Sequence, residues 1–484
     1  MMDLGLVAVC GAGAMGSGIA QVAAQAGHSV VVFDTSDAAL ARGLTAVETS
    51  LAGLIKRGRL SSAAAEAFAR KIAWTTRIED IGDAVLVIEA IIEDADSKAK
   101  LFDRIEAVVA ETAILATNTS SLAVSGLAAV RAVPGRFLGL HFFNPAPVMK
   151  LVEVIRGVAT EPAVVDEAMR LMGAWGKSAI CVRDVPGFIV NRVARPYYAE
   201  GFRALGEGVA RPEVLDALFR KAAGFRMGPL ELADLIGQDI NFAVARSVHD
   251  ACFGTPRFAP QPAQGALVEA GLLGRKSGRG VYDYRIGGAP TVDGPGESET
   301  PGHIVIGAEV DPVLASLVVA AGGIPGGIPS NCIEADGVLV AISDGRLAAT
   351  WAEQHGKPVV LLDWSARDSE SCGFAVSAAA ALPVARGLLA AIGREALELA
   401  DRPGLIILRT LGQVANAAGD AVRDRVAEPA EIDQAMRLGA NYPVGPLAWA
   451  ESYGYARLIR TMENIAGETG EVIYQPSEYF RRRP

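Results

Sequence analysis

A histidine, a glutamate and a glycine-rich turn in the first half of this chain have the types and spacing that alcohol oxidation needs. His141 ends the strand-like run Phe137–His141 and opens His141-Phe142-Phe143-Asn144-Pro145; Glu153 follows closely in Lys150-Leu151-Val152-Glu153-Val154. Taking hydride from a carbinol carbon requires a base for the hydroxyl proton, and imidazole suits because it titrates near neutrality. A nearby carboxylate orients the ring and stabilises its cation, and Glu153 is the candidate. Asn118-Thr119-Ser120-Ser121 comes right after the run Ala113–Ala116. Ser120 and His141 therefore both fall at the carboxyl ends of strands, where open α/β sheets bind ligands. Taken alone, His141 reads more simply as a satisfied histidine capping a strand.

The hydride acceptor has its own signature. Gly11-Ala12-Gly13-Ala14-Met15-Gly16 follows a strand-like run and opens a helix. The first glycine permits the tight turn, the second lets backbone approach a pyrophosphate, and the third lets helix and strand pack closely. The helix N-terminus then faces the phosphates with free N–H groups. The next strand ends in Val32-Phe33-Asp34. A carboxylate there accepts hydrogen bonds from ribose hydroxyls and repels a 2′-phosphate, which favours NAD over NADP. FAD is the nearer rival, disfavoured by the catalytic block downstream.

These groups need a scaffold. Strand-like runs at Gly5–Val9, Ser29–Phe33, Ala84–Glu89, Ala113–Ala116 and Phe137–His141 alternate with helical patterns such as Ala38–Gly53 and Lys98–Ala110. That alternation predicts βαβ units around a largely parallel sheet. From about Val185 helices dominate, as in Asn191–Gly206 and Arg211–Ala223. Gly287–Pro301 reads as a linker, and strands return at Ile304–Ile306, Val338–Ile342 and Val359–Leu362 before helix resumes near Pro383. The chain also repeats. Asp184, Gly176, Asp216 and Gly228-Pro229-Leu230 recur 217 positions later as Asp401, Gly393, Asp433 and Gly445-Pro446-Leu447, which points to a duplicated helical domain.

The 484 residues call for several domains, and a net charge of -10 argues against a nucleic-acid partner. Five scattered cysteines without a paired spacing fit a reducing cytoplasm and no structural metal. The longest uncharged stretch, Pro312–Cys332, is interrupted by Gly and Pro and suits a buried βα segment better than a membrane span.

Together the stretches Gly11–Gly16, Asn118–Leu122, Gly139–Glu153, Asp184–Arg192, Gly228–Leu230 and Gly280–Tyr282 resemble the 3-hydroxyacyl-CoA dehydrogenase family across the first 285 residues. The resemblance implies an α/β Rossmann-like NAD-binding domain (1–184) and an all-α domain (185–286). After the linker (287–301) it implies a degenerate small α/β unit (302–402) and a second all-α domain (403–484). It places the base and its carboxylate on His141 and Glu153, the hydroxyl for the substrate oxygen on Ser120, and an active-site amide on Asn191. NAD contacts fall on the Gly11–Gly16 turn (Gly11, Ala12, Gly13, Ala14, Met15, Gly16), Asp34, Glu93, Lys98, Ser120, Asn144 and Lys276. Coenzyme A contacts fall on Ser50 with Lys56 or Arg57. Implied chemistry is oxidation of a (S)-3-hydroxyacyl-CoA to 3-ketoacyl-CoA, as in fatty-acid or phenylacetate breakdown, with an acyl-CoA thioester as partner. Longer bacterial members assigned to 3-hydroxybutyryl-CoA or 3-hydroxyadipyl-CoA share this arrangement. Short members dimerise through their helical domains, so the tandem copies imply an intramolecular pseudo-dimer. Leu408 occupies the position of Asn191 in the repeat. Two rivals remain at this stage: a β-hydroxyacid dehydrogenase that uses lysine on free acids, and a non-catalytic, crystallin-like NAD binder.

Overall fold

Runs of β-branched residues with no polar alternation form strands buried on both faces, and the computed structural model arranges them as two sheets. It describes residues 5–292, 299–308, 310–321 and 324–483; part of the expected linker, 293–298, lies outside them. The chain divides into two compact units, Met1–Asn191 with Asp424–Ala440, and Arg192–Arg423 with Asn441–Pro484.

The first unit holds β1 (Leu6–Cys10), β2 (Ser29–Phe33), β3 (Ile72–Thr75), β4 (Ala84–Glu89), β5 (Ile114–Thr117), β6 (Phe137–Phe142), β7 (Leu151–Arg156) and β8 (Ser178–Arg183). Their order in the sheet is β3-β2-β1-β4-β5-β6-β7-β8. All neighbours are parallel except β6 and β7. The helices are α1 (Ala14–Gln25), α2 (Asp37–Lys56), α3 (Ser62–Ala69), α4 (Ala95–Glu106), α5 (Val124–Ala128) and α6 (Pro162–Ala174). Ser36 caps α2 by accepting from the Ala39 N–H at 3.3 Å. Leu40, Val47 and Leu51 then bury one stripe of α2 in the core. Among the described residues α2 is the one helix long and apolar enough by composition to cross a membrane. Its other face is exposed beside that buried stripe, which is the pattern of a helix covering a sheet.

After β8, Asp184 accepts from the N–H groups of Val124 (3.2 Å) and Ser125 (2.6 Å), in the first turn of α5. Gly187 and Phe188 are both left-handed, with φ of 73° and 49°. This turn launches the short helix α7 (Val190–Val193).

The second unit begins with α8 (Arg195–Gly206), α9 (Pro212–Lys221), α10 (Pro229–Ile236), α11 (Gln238–Ala251) and α12 (Pro262–Glu269). A smaller sheet follows, built from β9 (Ile304–Ile306), β10 (Ile324–Pro325), β11 (Cys332–Ala335), β12 (Val338–Ile342), β13 (Val359–Leu362), β14 (Ser371–Val376) and β15 (Glu395–Glu398). Its order is β10-β9-β11-β12-β13-β14-β15, with α13 (Pro312–Ala321), α14 (Ala348–His355) and α15 (Leu382–Ala391). Then comes α16 (Ile407–Arg423). The segment with α17 (Pro429–Gly439) belongs to the first unit, where it packs on β7. The chain closes with α18 (Pro446–Tyr453), α19 (Tyr455–Thr469) and α20 (Glu478–Arg481).

The repeat extends to backbone conformation. Left-handed residues recur at the same 217-residue offset: Gly187 and Gly404, Phe188 and Leu405, Gly208 and Arg425, Gly224 and Asn441. Asp401 accepts from the N–H groups of Ala348 and Ala349 at the start of α14, as Asp184 does at α5. The duplication therefore includes part of the sheet, and not only the helices. Inside the second unit α8 lies against its own counterpart, α16. Glu200 on α8, 2 % exposed, pairs with Arg409 of α16 at 3.0 Å. Burial pushes the Glu200 carboxyl up, but Arg409 and Arg402 outweigh it and hold it below the ordinary range.

Candidate active site

β6 and β7 pair antiparallel with His141 directly opposite Glu153. That register places the imidazole Nδ1 2.7 Å from Glu153 Oε2. An ionised carboxylate only accepts, so Nδ1 carries the proton and Nε2 keeps its lone pair. The other carboxylate oxygen, Oε1, accepts from the N–H groups of Ile189 (2.9 Å) and Val190 (3.1 Å). Glu153 is fully buried. Both its oxygens are engaged, so it fixes the ring to the turn that carries Asn191. Phe143 and Phe188 flank the imidazole, with ring centroids 4.5 and 5.6 Å away.

Ser120 follows β5 and Asn191 follows the turn. The structure joins them through a hydrogen bond from Asn191 Nδ2 to the Ser120 carbonyl at 3.4 Å. Glu93 gathers the same loop. One of its oxygens accepts from Thr119 Oγ1 (2.7 Å), the Ser120 N–H (2.8 Å) and the Ser121 N–H (3.0 Å). Burial raises the Glu93 carboxyl, but the Thr119 hydroxyl, Lys98 and the loop amides leave it below its ordinary range.

Lys98, expected from the sequence to contact the cofactor, is held in place by two carboxylates. It is 1 % exposed, and its ammonium sits 2.6 Å from Glu89 and 3.3 Å from Glu93. It is a buried counter-charge beneath Glu93. The sequence reading missed Glu89 and Asn118. Glu89 closes β4 and also accepts from Thr117 at 2.7 Å; an acid ending an otherwise apolar strand was its only signal. Asn118 Oδ1 accepts from the Phe142 N–H at 2.8 Å and ties the end of β5 to β6.

An open cleft of about 780 Å³ adjoins the glycine turn, lined in part by Gly13, Met15, Asp34, Ile92 and Arg104. The residues fit a dinucleotide. Gly11 has φ 115°, and a Cβ there would meet the Ala90 carbonyl at 2.5 Å. A Cβ on Gly16 would lie 1.8 Å from the Gly11 oxygen, whereas Gly13 faces open space. Those are the turn, packing and phosphate-approach requirements in turn. Asp34 accepts from the Ala12 N–H at 2.9 Å, which anchors the acid beside the turn.

The remaining expected contacts are placed as follows. Asn144 is exposed on the loop after β6. Ser50 is half-buried on α2, with Lys56 and Arg57 exposed at its C-terminal end. Lys276 lies in the second unit, paired with Asp239 at 2.5 Å.

Sequence profiles agree with this architecture. The 3-hydroxyacyl-CoA dehydrogenase NAD binding domain matches residues 6–185, and the C-terminal domain of the same family matches twice, at 187–284 and 404–483. The chain belongs to the 3-hydroxyacyl-CoA dehydrogenase family. It is an NAD-dependent oxidoreductase of that family. A reduced Rossmann-fold domain described for 3-hydroxybutyryl-CoA dehydrogenase matches 340–403. A 3-hydroxyadipyl-CoA dehydrogenase of Escherichia coli K12 is 42% identical over 484 residues, covering 100% of this chain and 98% of the relative. A probable 3-hydroxybutyryl-CoA dehydrogenase of Bacillus subtilis is 41% identical over 58% of this chain and 98% of its own. The crystal structure of a 3-hydroxybutyryl-CoA dehydrogenase from Escherichia coli superposes with a TM-score of 0.91 at 41% identity, covering 99% of this chain and 98% of that one.

Register also shows what the second copy of the dehydrogenase fold has lost. Ile180 on β8 pairs with Glu153, and its counterpart Leu397 on β15 pairs with Gly373. Across the next ladder, Gly373 faces Asp363 as Glu153 faces His141. The dyad positions are therefore aspartate and glycine. Asp363 reaches past the glycine and accepts from the N–H groups of Ile406 (3.0 Å), Ile407 (2.7 Å) and Leu408 (3.0 Å). It keeps the anchoring task of Glu153 without a base beside it.

Proposed function

We propose that the chain oxidises the 3-hydroxyl of a (S)-3-hydroxyacyl-CoA of the 3-hydroxybutyryl or 3-hydroxyadipyl type. The observation that carries this reading is the His141–Glu153 pair, held rigidly beside the loop that carries Ser120. The full-length relative named for 3-hydroxyadipyl-CoA supports the acyl class. Nε2 of His141 takes the hydroxyl proton, and Glu153 stabilises the imidazolium that results. The Ser120 hydroxyl and the Asn191 amide hold the 3-oxygen. NAD bound at the Gly11–Gly16 turn supplies the hydride acceptor, with Asp34 on the ribose and Glu93, Lys98, Ser120, Asn144 and Lys276 as further contacts. Ser50 with Lys56 or Arg57 takes the coenzyme A end. A cytoplasmic location belongs to the same proposal.

The two helical domains form an intramolecular pseudo-dimer in this reading. Reciprocal contacts support it, because a twofold interface makes residue i touch j′ while j touches i′. Arg183 N–H donates to the Val426 carbonyl at 2.9 Å, and Ala400 N–H, the counterpart of Arg183, donates to Val209, the counterpart of Val426, at 2.8 Å.

Measuring NAD reduction with 3-hydroxybutyryl-CoA, 3-hydroxyadipyl-CoA and the matching free acids tests the function. Turnover of the thioesters alone is expected. Equal turnover of a free acid would move the chain toward the hydroxyacid dehydrogenases, and no turnover of either ester would overturn the reading.

A further inference from the structure

The loop Phe143–Lys150 joins β6 to β7 and carries Asn144. Its near half carries Phe143, whose ring lies on His141, and Lys177 reaches its far half. This lysine stands just past α6, where Gly176 is left-handed (φ 71°) and the Lys177 N–H closes the helix on the Met172 carbonyl at 3.0 Å. That ending turns the side chain under the loop. Its ammonium donates to the Ala146 carbonyl and to the Met149 carbonyl at 2.8 Å.

The second copy repeats the device with a different cation. Arg394, the counterpart of Lys177, follows left-handed Gly393, and its N–H closes α15 on the Leu389 carbonyl at 2.9 Å. Its guanidinium donates to the Ala366 carbonyl at 3.2 Å and to the Arg367 carbonyl, in the loop between β13 and β14. A cation at one repeat position thus grips the same loop twice.

We propose that Lys177 is a positioning residue for the dehydrogenase reaction: it clamps the Phe143–Lys150 loop so that Asn144 meets the cofactor. The clamp rests on the reading of Asn144 as a cofactor contact. Burial, with the charge of Lys150 at the end of the same loop, pushes the Lys177 ammonium down to about 8. Above that pH the charge-assisted bonds become weaker neutral ones. The clamp therefore loosens as pH rises through about 8, while a guanidinium keeps its charge.

The test is NADH affinity by fluorescence titration, with steady-state kinetics alongside. Lys177→Met should weaken NADH binding on the order of 10-fold and raise KM for NAD more than it lowers kcat. Lys177→Arg should stay within about threefold of wild type, as Arg394 does the same task. Wild-type affinity should fall between pH 7 and 9.5, and that of Lys177→Arg should fall less. Wild-type affinity in a folded Lys177→Met, or an equal loss in Lys177→Arg, would overturn the clamp. If Lys177→Met does not fold, the two pH titrations decide: identical slopes overturn it. Asn144→Ala separates the clamp from its premise. Normal NADH binding there, with loss in Lys177→Met, removes the Asn144 assignment alone; the converse removes the clamp alone.

Discussion

At His141 the decisive fact is where Glu153 sits. Twelve residues separate them in sequence, and only an antiparallel ladder makes them opposite neighbours. The residue types and the short separation were legible in the sequence. The strand β7 was not, because a charged Glu153 interrupts its apolar run and its pairing is set across the sheet. His141→Ala should leave NADH binding intact and lower kcat by about 10²–10⁴-fold, the usual worth of a general base. Stopped-flow turnover in a folded variant checks this, and near-normal rates would remove His141 from the mechanism. Glu153→Gln should also lower kcat, since the imidazolium loses its counter-charge, and should loosen the turn held by its Oε1. Asp34 makes a separate prediction. NAD should be preferred to NADP in kcat/KM, and Asp34→Ser should weaken NAD while relieving the repulsion toward a 2′-phosphate. A wild-type preference for NADP would contradict it. Lys98 shows what residue type alone does not reveal: the lysine is buried and paired with two carboxylates, Glu89 and Glu93.

Among the elements, the strands were read most easily where apolar runs are continuous, as in β2 and β4, whose bounds match the sequence expectation. β3, β8, β14 and β15 were missed because each is short or polar at its ends, and tertiary pairing supplies what local pattern lacks. The helix expected at Asn191–Gly206 is divided, α7 ending at Val193 and α8 starting at Arg195. Asp363 offers the test at this scale. Its carboxyl is the acceptor for three successive N–H groups at the start of α16. Asp363→Ala should cost about 3 kcal/mol of stability, read from the denaturant midpoint, with kcat little changed. An unchanged midpoint would deny it the anchoring role. Burial also pushes the Asp363 carboxyl up to about 6. An unfolded aspartate sits near 3.9, so the native state takes up this proton first. The contribution is full below about pH 4 and is lost as pH rises through about 6. Asp363→Asn should flatten the stability profile across that window.

For the whole molecule, the duplication was legible from a few identities in one register. Its extent was not. The smaller sheet shares backbone turns and helix-capping aspartates with the first, while its sequence has kept almost none of the motif residues. Removing residues 288–484 should expose the buried face of α8, including Tyr197 and Phe202, and the remainder should self-associate, aggregate or lose stability. Size-exclusion and thermal melts check this; a soluble, monomeric and fully stable remainder would sink the packing role. Leu408→Asn should leave kcat unchanged, and loss of chemistry in a folded Leu408→Asn would show that the second half takes part in catalysis.

Gly439 and its counterpart Ala222 have a consequence of their own. A Cβ on Gly439 would meet Leu151 and Val190 at 2.7 and 2.8 Å, close to the ring of Phe143 that lies on His141. At the vestigial sheet the same repeat position keeps its methyl. In a homodimer one gene writes both faces, so a change that suits one face is imposed on the other. Tandem fusion lifts that constraint. Each face then drifts under its own demand: Glu200 still holds Arg409, while Ala417 stands where a second glutamate would be.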